Sequence, residues 1–477
     1  MYRSRLKGSL DKDALRYLSS IDEDQVLLEY DIIGSMAHVI MLKECNIIDN
    51  EDAKAILIAL KQAKSDVIDR DSYEDIHEAL EAYVIKHAKL EHGGKMHTGR
   101  SRNDQVALDL RLLIRDEINI ISNELIALIS SLINKANYTL DCIMPMYTHL
   151  QQAQIGLFSH YMLAYADMLL RDVERFDDCY KRINRSPLGA SAIGGTSLPI
   201  DRRLTAELLA FDTLIENSID ATSNRDFMLE FCFILTNIML NLSRMAEDLI
   251  IWSSNEFDYI ELPDELTSTS SIMPQKKNPC PLELLRARTA SVIGNLTSII
   301  STIKSLPSGY NRDLQDTKRV LLDAIRVSKD SINIMRLIIE GLVAKKENML
   351  DKASKSYALA LDLAEMLVKK GMPFREAHKI VGSLVMLASN KKKSIKELTQ
   401  EEVNNDEVYE LLQILDVSVI NSRVSIGAAN PKEDIRMIDE RRLIIDIHKK
   451  VINERVAKIE DAMKRLEEIA NKIMNER

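Results

Sequence analysis

Residues 267–281, TSTSSIMPQKKNPCP, place hydroxyl, ammonium and amide groups close together in one polar segment. Ser270 opens the reactive part of this segment, and Lys276 and Asn278 close it. Such a set can remove a proton from a carbon beside a carboxylate, because the negative charge that forms needs cations and N–H donors around it. A serine can be the base only where loop amides and a nearby lysine stabilise its alkoxide. Composition alone leaves a simple polar turn as the alternative.

Two further segments contain groups that bind polar ligands. His149 lies among hydroxyl and amide side chains in YTHLQQAQ, although a lone histidine is more often structural than catalytic. The stretch GRSRNDQ places Arg100, Arg102 and Asn103 around one serine, and arginine offers a forked donor for carboxylates. Taken alone, this second stretch is equally consistent with surface ion pairs.

A metal site and a nucleotide site are not predicted. No two of His77, His87, His92 and His97 stand at the i, i+4 spacing of a helical metal pair, and HExxH is absent. We expect these histidines to face solvent or to cap helices. The stretch GASAIGGTS has the glycines of a phosphate loop but glycine in place of its lysine, so it predicts a close turn.

Composition predicts a soluble, multi-unit protein whose ligand is small. The 477 residues exceed one ordinary domain, and 46% hydrophobic and 29% charged residues are normal for a globular chain. A net charge of −10 argues against nucleic acid as a partner. No apolar run approaches the ~20 residues of a membrane span, and the N-terminus lacks a signal peptide's apolar run. Five scattered cysteines favour reduced thiols and a cytoplasmic location: Cys45, Cys142, Cys179, Cys232 and Cys280.

Helices are predicted nearly throughout, because glycine and proline are absent from three long stretches of the chain. Two of these stretches carry apolar residues at three- and four-residue steps. One stripe comprises Val106, Leu110, Leu113, Ile121, Leu125, Leu128 and Leu132, and the other Phe227, Phe231, Ile234, Ile238, Met245, Leu249 and Trp252. We therefore expect an all-α fold of long antiparallel helices in a bundle. A homo-oligomer would bury the remaining apolar surface, and the alternative is a bundle within one chain.

Several motifs resemble, in order and spacing, those of the argininosuccinate lyase family of the fumarase/aspartase superfamily. They are SSIMPQKKNP (270–279), GGKMHTGRSRNDQVALDLRL (93–112), YTHLQQAQ (147–154) and YNRDLQDTK (310–318). The resemblance implies reversible cleavage of L-argininosuccinate into L-arginine and fumarate, in arginine biosynthesis, through an aci-carboxylate intermediate. It implies no metal and no organic cofactor.

The same resemblance implies an architecture. Three mainly helical domains would cover residues 1–101, 102–351 and 352–477, with a central bundle of five long helices. The family assembles as a homotetramer, and separate subunits contribute to each active site. We expect no partner beyond a small-molecule substrate and other copies of the chain, and thus neither nucleic acid nor membrane.

Site residues follow from the matched motifs. Ser270 corresponds to the general base that takes the Cβ proton, and Lys276 and Asn278 correspond to groups that stabilise the intermediate. His149 corresponds to a histidine of the acid–base work, with Glu283 as its carboxylate partner. The positions that correspond to substrate contacts are Ser20, Arg102, Asn103, Thr148, Arg225, Tyr310, Gln315 and Lys318.

The chain also departs from the family pattern without losing a catalytic side chain. Thr269 stands where glycine is usual, and Cys280 and Pro281 follow KKNP in place of acidic and small residues. Ile155 and Ala428 replace a usual proline and a frequent glycine. These changes bear on the motion of the segment 267–281, which we expect to act as a mobile lid. The alternatives are another fumarate-releasing lyase and a non-catalytic, crystallin-like structural protein.

Overall fold

The computed structural model describes residues 10–69 and 72–476, and its N-terminal part is a compact group of helices. Asp49 and Asp52 form a capping box that begins the fourth helix, and the apolar faces of the longer helices pack into one core. The helices are α1 (Lys12–Leu18), α2 (Ile21–Asp24), α3 (Leu28–Glu44), α4 (Asn50–Ala63), α5 (Ile76–Ala88) and α6 (Leu90–Gly93).

A bundle of five long helices follows and forms the largest hydrophobic core. The helices of this region are α7 (Arg102–Tyr138), α8 (Phe158–Ile183), α9 (Arg202–Leu208), α10 (Ser218–Ser223), α11 (Asp226–Trp252), α12 (Cys280–Ile303) and α13 (Asp313–Gly341). The two apolar stripes of the sequence coincide with α7 and α11, and both predicted helices are confirmed. The prediction of an all-α fold is also confirmed.

Side-chain bonds give the directions of these helices. Ser131, late in α7, donates to Glu340, late in α13, so these two helices run parallel. Arg111, early in α7, donates to the carbonyl oxygen of Ile183 at the end of α8, so α8 runs the opposite way.

The remaining two long helices complete this pattern. Arg286, early in α12, forms an ion pair with Glu247, late in α11, so these helices are antiparallel. Both α11 and α13 pack against α12. Accordingly α7, α11 and α13 begin at one end of the bundle, called the proximal end, and finish at the other, called the distal end.

Short strands link these helices. They are β1 (Ile143–Thr148), β2 (Gln151–Leu157), β3 (Arg185–Ser186), β4 (Thr213–Leu214), β5 (Ile260–Glu261), β6 (Ser268–Thr269), β7 (Lys277–Asn278) and β8 (Val343–Ala344). β1 and β2 form an antiparallel hairpin at the distal end, and β6 pairs antiparallel with β7. Gly156 allows the hairpin to close, because a Cβ there would lie 2.1 Å from the sulfur of Met146.

The C-terminal part adds a third core and a helix that returns along the molecule. Its helices are α14 (Lys346–Lys355), α15 (Ala360–Lys369), α16 (Phe374–Asn390), α17 (Gln400–Val403), α18 (Asp406–Ile414) and α19 (Pro431–Asn475). At the start of α19, Asp434 accepts a hydrogen bond from Ser159 at the start of α8. Near its end, Leu466 and Ile473 are buried in the N-terminal core, so α19 spans the length of the protein.

Within residues 10–69 and 72–476, two helical segments are long and apolar enough to cross a membrane, namely Ile21–Glu44 and Asp226–Trp252. In this fold, however, 67% and 56% of their most apolar windows are buried inside the protein. Their hydropathy is therefore explained by packing in the N-terminal core and in the bundle.

We expected His77, His87, His92 and His97 to face solvent or to cap helices, and this prediction is wrong for His77. Its Nδ1 lies 2.9 Å from a carboxylate oxygen of Asp31 and 3.3 Å from one of Asp109, and all three side chains are buried. The three offer ligand atoms close enough to hold a cation. Burial opposes ionisation of Asp31, but His77, followed by Arg100, holds the pKa of this carboxyl below its usual range.

The burial of His38 predicts acid sensitivity. Burial, assisted by Arg100, lowers the pKa of His38 to about 3 from an ordinary value of 6.5. Between pH 3 and pH 6.5, His38 is therefore protonated in the unfolded chain but neutral in the folded chain. Stability from this group is present above pH 6.5 and is lost as pH falls toward 3, by about 1.4 kcal/mol per pH unit.

The variant His38→Gln should flatten that slope. The free energy of unfolding, measured by denaturant titration from pH 7 to 4 at one protein concentration, should depend less on pH in the variant. His87→Gln is the control, because His87 is exposed. Equal slopes in the wild type and His38→Gln would contradict the assignment.

Candidate active site

The proximal end gathers buried charges around the start of α13. Lys318 is 1% exposed, and its ammonium group forms an ion pair with the fully buried carboxylate of Asp24. The same ammonium group donates to Ser20 Oγ at 3.2 Å, and Ser20 Oγ donates to Asp24 at 2.6 Å. Ser20 and Lys318, 298 residues apart in the chain, therefore lie in direct contact.

Tyr310, Gln315 and Arg225 belong to the same end. Gln315 Nε2 donates to the hydroxyl of Tyr310 at 2.6 Å. Burial raises the pKa of Tyr310, while the facing guanidinium of Arg225 opposes that rise. Arg225 is itself fully buried, which lowers its pKa to about 10, and it donates to the carbonyl oxygens of Thr222 and Asn224.

Arg102 and Asn103 lie in the first turn of α7. The Arg102 guanidinium lies 3.6 Å from Asp75 and 3.7 Å from Glu81. Burial opposes ionisation of Asp75, but Arg102, followed by His77, holds the pKa of this carboxyl below its usual value. Lys318 contributes in the same direction, which connects this group to the cluster around Asp24.

Seven of the eight predicted substrate contacts thus lie at the proximal end: Ser20, Arg102, Asn103, Arg225, Tyr310, Gln315 and Lys318. An open cavity of about 360 Å³ is lined there by Ser20, Gln315 and Arg312. The lining has mixed charge, because it also includes Arg319 and three acidic residues, Glu23, Asp313 and Asp316.

Thr148 and His149 lie at the distal end instead, at the tip of the β1–β2 hairpin. Thr148 pairs with Gln151, so His149 and Leu150 form a two-residue turn in which both have φ of 57°. That geometry is typical of Asn-Gly turns and is unfavourable for larger residues. Both side chains point to solvent, and Leu150 is 72% exposed. The backbone strain of this turn is therefore at the predicted acid–base residue, His149.

Both strands of this hairpin are held by the rest of the chain. The hydroxyl groups of Tyr147 and Tyr259 are hydrogen-bonded at 2.5 Å. Arg423, from the C-terminal part, donates to the carbonyl oxygen of Ile155 at 2.6 Å. His149 is therefore exposed on a firmly anchored support.

The segment 267–281 also lies at the distal end and is stabilised by the β6–β7 pair. Ser270 Oγ accepts hydrogen bonds from the backbone N–H groups of Ile272, at 3.3 Å, and Met273, at 3.1 Å. These two donors are the kind of loop amides that an alkoxide at Ser270 would need. Ile272, which is 87% exposed, lies at the tip of the segment.

The two lysines of this segment have different environments. Lys277 forms ion pairs with Glu261 and Asp264 and donates to the carbonyl oxygen of Leu262. Lys276 is exposed, its backbone N–H donates to the carbonyl oxygen of Met273, and its ammonium group forms no hydrogen bond or ion pair among the described residues. Lys276 is therefore the lysine available to a ligand.

Asn278 and Glu283 complete the distal group. Asn278 pairs with Ser268 in the β6–β7 ladder and is half-buried, and Glu283 lies exposed in the first turn of α12. All five predicted catalytic residues thus lie at the distal end, on two separate connections between bundle helices.

Helix length separates the two groups. α11 has 27 residues, which corresponds to about 40 Å at 1.5 Å per residue. Arg225 immediately precedes α11 at the proximal end, and the segment that carries Ser270 follows α11 at the distal end. One subunit therefore does not bring the predicted base and the predicted substrate contacts together.

Sequence reasoning missed two carboxylates that contact predicted site residues, Asp24 and Asp75. Asp24 stands four residues after Ser20, a spacing that places both on one helical face. Asp75 caps the start of α5, where its carboxylate accepts the N–H of Glu78 at 2.7 Å. The i, i+4 spacing was a usable signal for Asp24, whereas an N-cap aspartate is too common to indicate a site.

Comparison with known proteins gives a consistent result. A lyase family model matches residues 5–294, and a model of the argininosuccinate lyase C-terminal region matches residues 357–420. The argininosuccinate lyase of Nitrosopumilus maritimus is 48% identical over 98% of this chain and 100% of that protein. The argininosuccinate lyase of Oceanobacillus iheyensis is 44% identical over 88% of this chain and 93% of that protein. The crystal structure of EDDS lyase in complex with formate has a TM-score of 0.86 at 28% identity, covering 97% of this chain and 95% of that one.

The buried pair of Lys318 and Asp24 predicts a stability effect. Lys318→Met keeps most of the side-chain volume but leaves the Asp24 carboxylate buried without its cation, which should cost about 3–5 kcal/mol. Denaturant titration at one fixed protein concentration measures this loss. Lys346→Met is the matched control, because its ion pair with Asp141 is exposed and should contribute little. Equal midpoints for Lys318→Met and the wild type would contradict the prediction.

Proposed function

The chain belongs to the argininosuccinate lyase family, and we propose that it works through active sites that separate subunits build together. It is a carbon–nitrogen lyase that splits L-argininosuccinate reversibly into L-arginine and fumarate, a step of arginine biosynthesis. This proposal is supported by one observation: within one subunit, α11 separates the predicted substrate contacts at the proximal end from the predicted catalytic residues at the distal end by about 40 Å. The reaction needs a base and charge stabilisers at the carbon that the proximal cations hold.

Ser270 is the base in this proposal. Its Oγ takes the Cβ proton of the succinyl moiety, and the electron pair of that C–H bond moves onto the adjacent carboxylate to form the aci-carboxylate. The amides of Ile272 and Met273 support this role, since both already donate to Ser270 Oγ. Lys276 and Asn278 stabilise the aci-carboxylate, and the assignment of Lys276 is supported because its ammonium group forms no ion pair with the described residues.

The second half of the reaction breaks the C–N bond. The electrons of the aci-carboxylate return to form the carbon–carbon double bond of fumarate, and the departing guanidino nitrogen of arginine takes up a proton. His149, with Glu283, takes part in this acid–base work. Support comes from the exposure of His149 on an anchored hairpin, where it can reach a site on another chain.

The proposed assembly is a homotetramer. Apolar side chains are exposed on the outer faces of two bundle helices, several of them seven residues apart, and bundle-to-bundle packing would bury them. They are Phe233 and Leu240 on α11, and Leu284, Ile293 and Ile300 on α12. Packing two bundles antiparallel would place the distal end of one beside the proximal end of the other. The number four rests on the family resemblance.

Two further parts of the proposal concern organisation. The division into domains at residues 1–101, 102–351 and 352–477 is supported by three hydrophobic cores, although the buried apolar side chains of α19 belong to the bundle core and the N-terminal core rather than to the third core. A cytoplasmic location is supported by the five cysteines, none of which forms a disulfide.

The variant Ser270→Ala tests the proposed base. Its kcat for fumarate release, followed by ultraviolet absorbance, should fall about 10²–10⁴-fold, the usual contribution of a positioned base. Assembly should not change, because Ser270 bonds only within its own segment. Ser271→Ala is the control, since this neighbouring hydroxyl is exposed and should be far less important. Turnover of Ser270→Ala near that of the wild type would place the base elsewhere.

A further inference from the structure

Asp104 is a buried carboxylate that the proposed reaction does not use. It lies in the first turn of α7, directly after Asn103, and is fully buried. One oxygen accepts the N–H of Ser101 at 2.9 Å, which closes the capping box of α7. The other oxygen accepts the N–H groups of Gly189, at 3.0 Å, and Ser191, at 2.8 Å. A single carboxylate thus joins the start of α7 to the loop at residues 187–193.

Arg202 holds the same loop by its carbonyl groups. Its Nε donates to the carbonyl oxygen of Leu188 at 2.8 Å. Its terminal nitrogen Nη2 donates to the carbonyl oxygen of Pro187 at 3.3 Å. A second bond of 2.8 Å anchors this guanidinium to Ile215. Gly189 has φ of 85°, and a Cβ there would lie 2.6 Å from Cγ of Arg202, so the loop fits closely between the acid and the arginine.

The loop held in this way contacts the proximal cluster at two points. The carbonyl oxygen of Ala192 accepts the side-chain N–H of Asn103 at 2.9 Å, which fixes the orientation of that amide. Ile193 packs against Gly309, where an added Cβ would lie 2.9 Å from its Cδ1, directly before Tyr310. Displacement of the loop would therefore rotate the Asn103 amide and loosen the segment that carries Tyr310.

We propose that Asp104 is a positioning residue, which orients the Asn103 amide for substrate by fixing the loop at residues 187–193. This inference rests on the proposed function, because it takes Asn103 as a substrate contact. Asp104 itself does not touch the substrate. Its effect on the reaction passes through the backbone of the loop.

Protonation gives this role a measurable signature. Burial raises the pKa of Asp104 to about 6, against the opposing effects of its backbone hydrogen bonds and of Arg100. The charged groups that face it are Arg100, from the segment before α7, and Arg202, from the start of α9. Below this pH the carboxyl group is protonated, which weakens its hydrogen bonds from the backbone N–H groups of the loop. The KM of the wild type should therefore rise as pH falls through about 6.

The decisive variant is Asp104→Asn, which keeps the shape but replaces one acceptor oxygen with a donor. With the full-length oligomer, KM for argininosuccinate at pH 7.5 should rise roughly tenfold, as expected for loss of a charged hydrogen bond, with a smaller change in kcat. The rise of KM near pH 6 should disappear from its pH profile. A merely structural role would lower stability without removing that inflection.

Two controls keep the inference separate from the proposed function. Glu402→Gln removes a capping-box carboxylate at α17, outside the bundle, and should change neither KM nor the profile. Asn103→Ala should raise KM by itself. If Asn103→Ala raises KM but Asp104→Asn leaves KM and the profile as in the wild type, the positioning role is overturned and the proposed function stands. A wild-type KM in Asn103→Ala overturns both the assignment of Asn103 and the positioning role.

Arg202→Lys covers the case in which Asp104→Asn does not assemble. Lysine keeps the charge but cannot reproduce the forked donation to several carbonyl oxygens. The loop should shift, and KM should rise as expected for Asp104→Asn. An unchanged KM in an assembled Arg202→Lys variant would overturn the role of the loop.

Discussion

The length and direction of the bundle helices constrain everything else in this protein. Because α7, α11 and α13 run parallel, their N-terminal ends meet, and there Lys318 of α13 pairs with the buried carboxylate of Asp24 in α2. α11 carries the chain about 40 Å away before it reaches Ser270, and α7 carries it about 55 Å away before it reaches His149, at 1.5 Å per residue. A rigid bundle does not close that distance by bending. A site that uses both ends therefore requires another copy of the chain.

The two ends differ in the way that this requirement predicts. At the proximal end Lys318 is buried, and its ammonium group is paired with Asp24 and Ser20 of the same subunit. At the distal end two predicted catalytic residues are exposed: His149 is in a strained turn, and Lys276 makes no ion pair among the described residues. The neighbouring Lys277, by contrast, forms an ion pair with Glu261 in the same chain.

Sequence patterns predicted the long helices well, because α11 carries its apolar residues at regular helical steps over 27 residues. The β1–β2 hairpin was missed, since His149 and Leu150 lack the Asn-Gly chemistry that marks such a turn. His77 was misplaced because its carboxylate partners are 46 and 32 positions away in the chain. Motif resemblance supplied candidate residues, but their positions at opposite ends follow only from the helix directions. Lys276 and Lys277 are adjacent residues of the same type, and only their contacts in the folded structure distinguish them. The sequence alone therefore could not separate their roles.

Subunit complementation tests the shared site most directly. Asn103→Ala impairs the proximal end and Ser270→Ala the distal end, so mixing and reassembling the two variants should restore about a quarter of the sites by random pairing. Asn103→Ala mixed with Gln315→Ala, both proximal, should restore none. Fumarate release is measured after subunit exchange has been verified by mass. Recovery of activity in the first mixture alone is the predicted result. No recovery there, despite exchange, would contradict the claim that separate chains build each site.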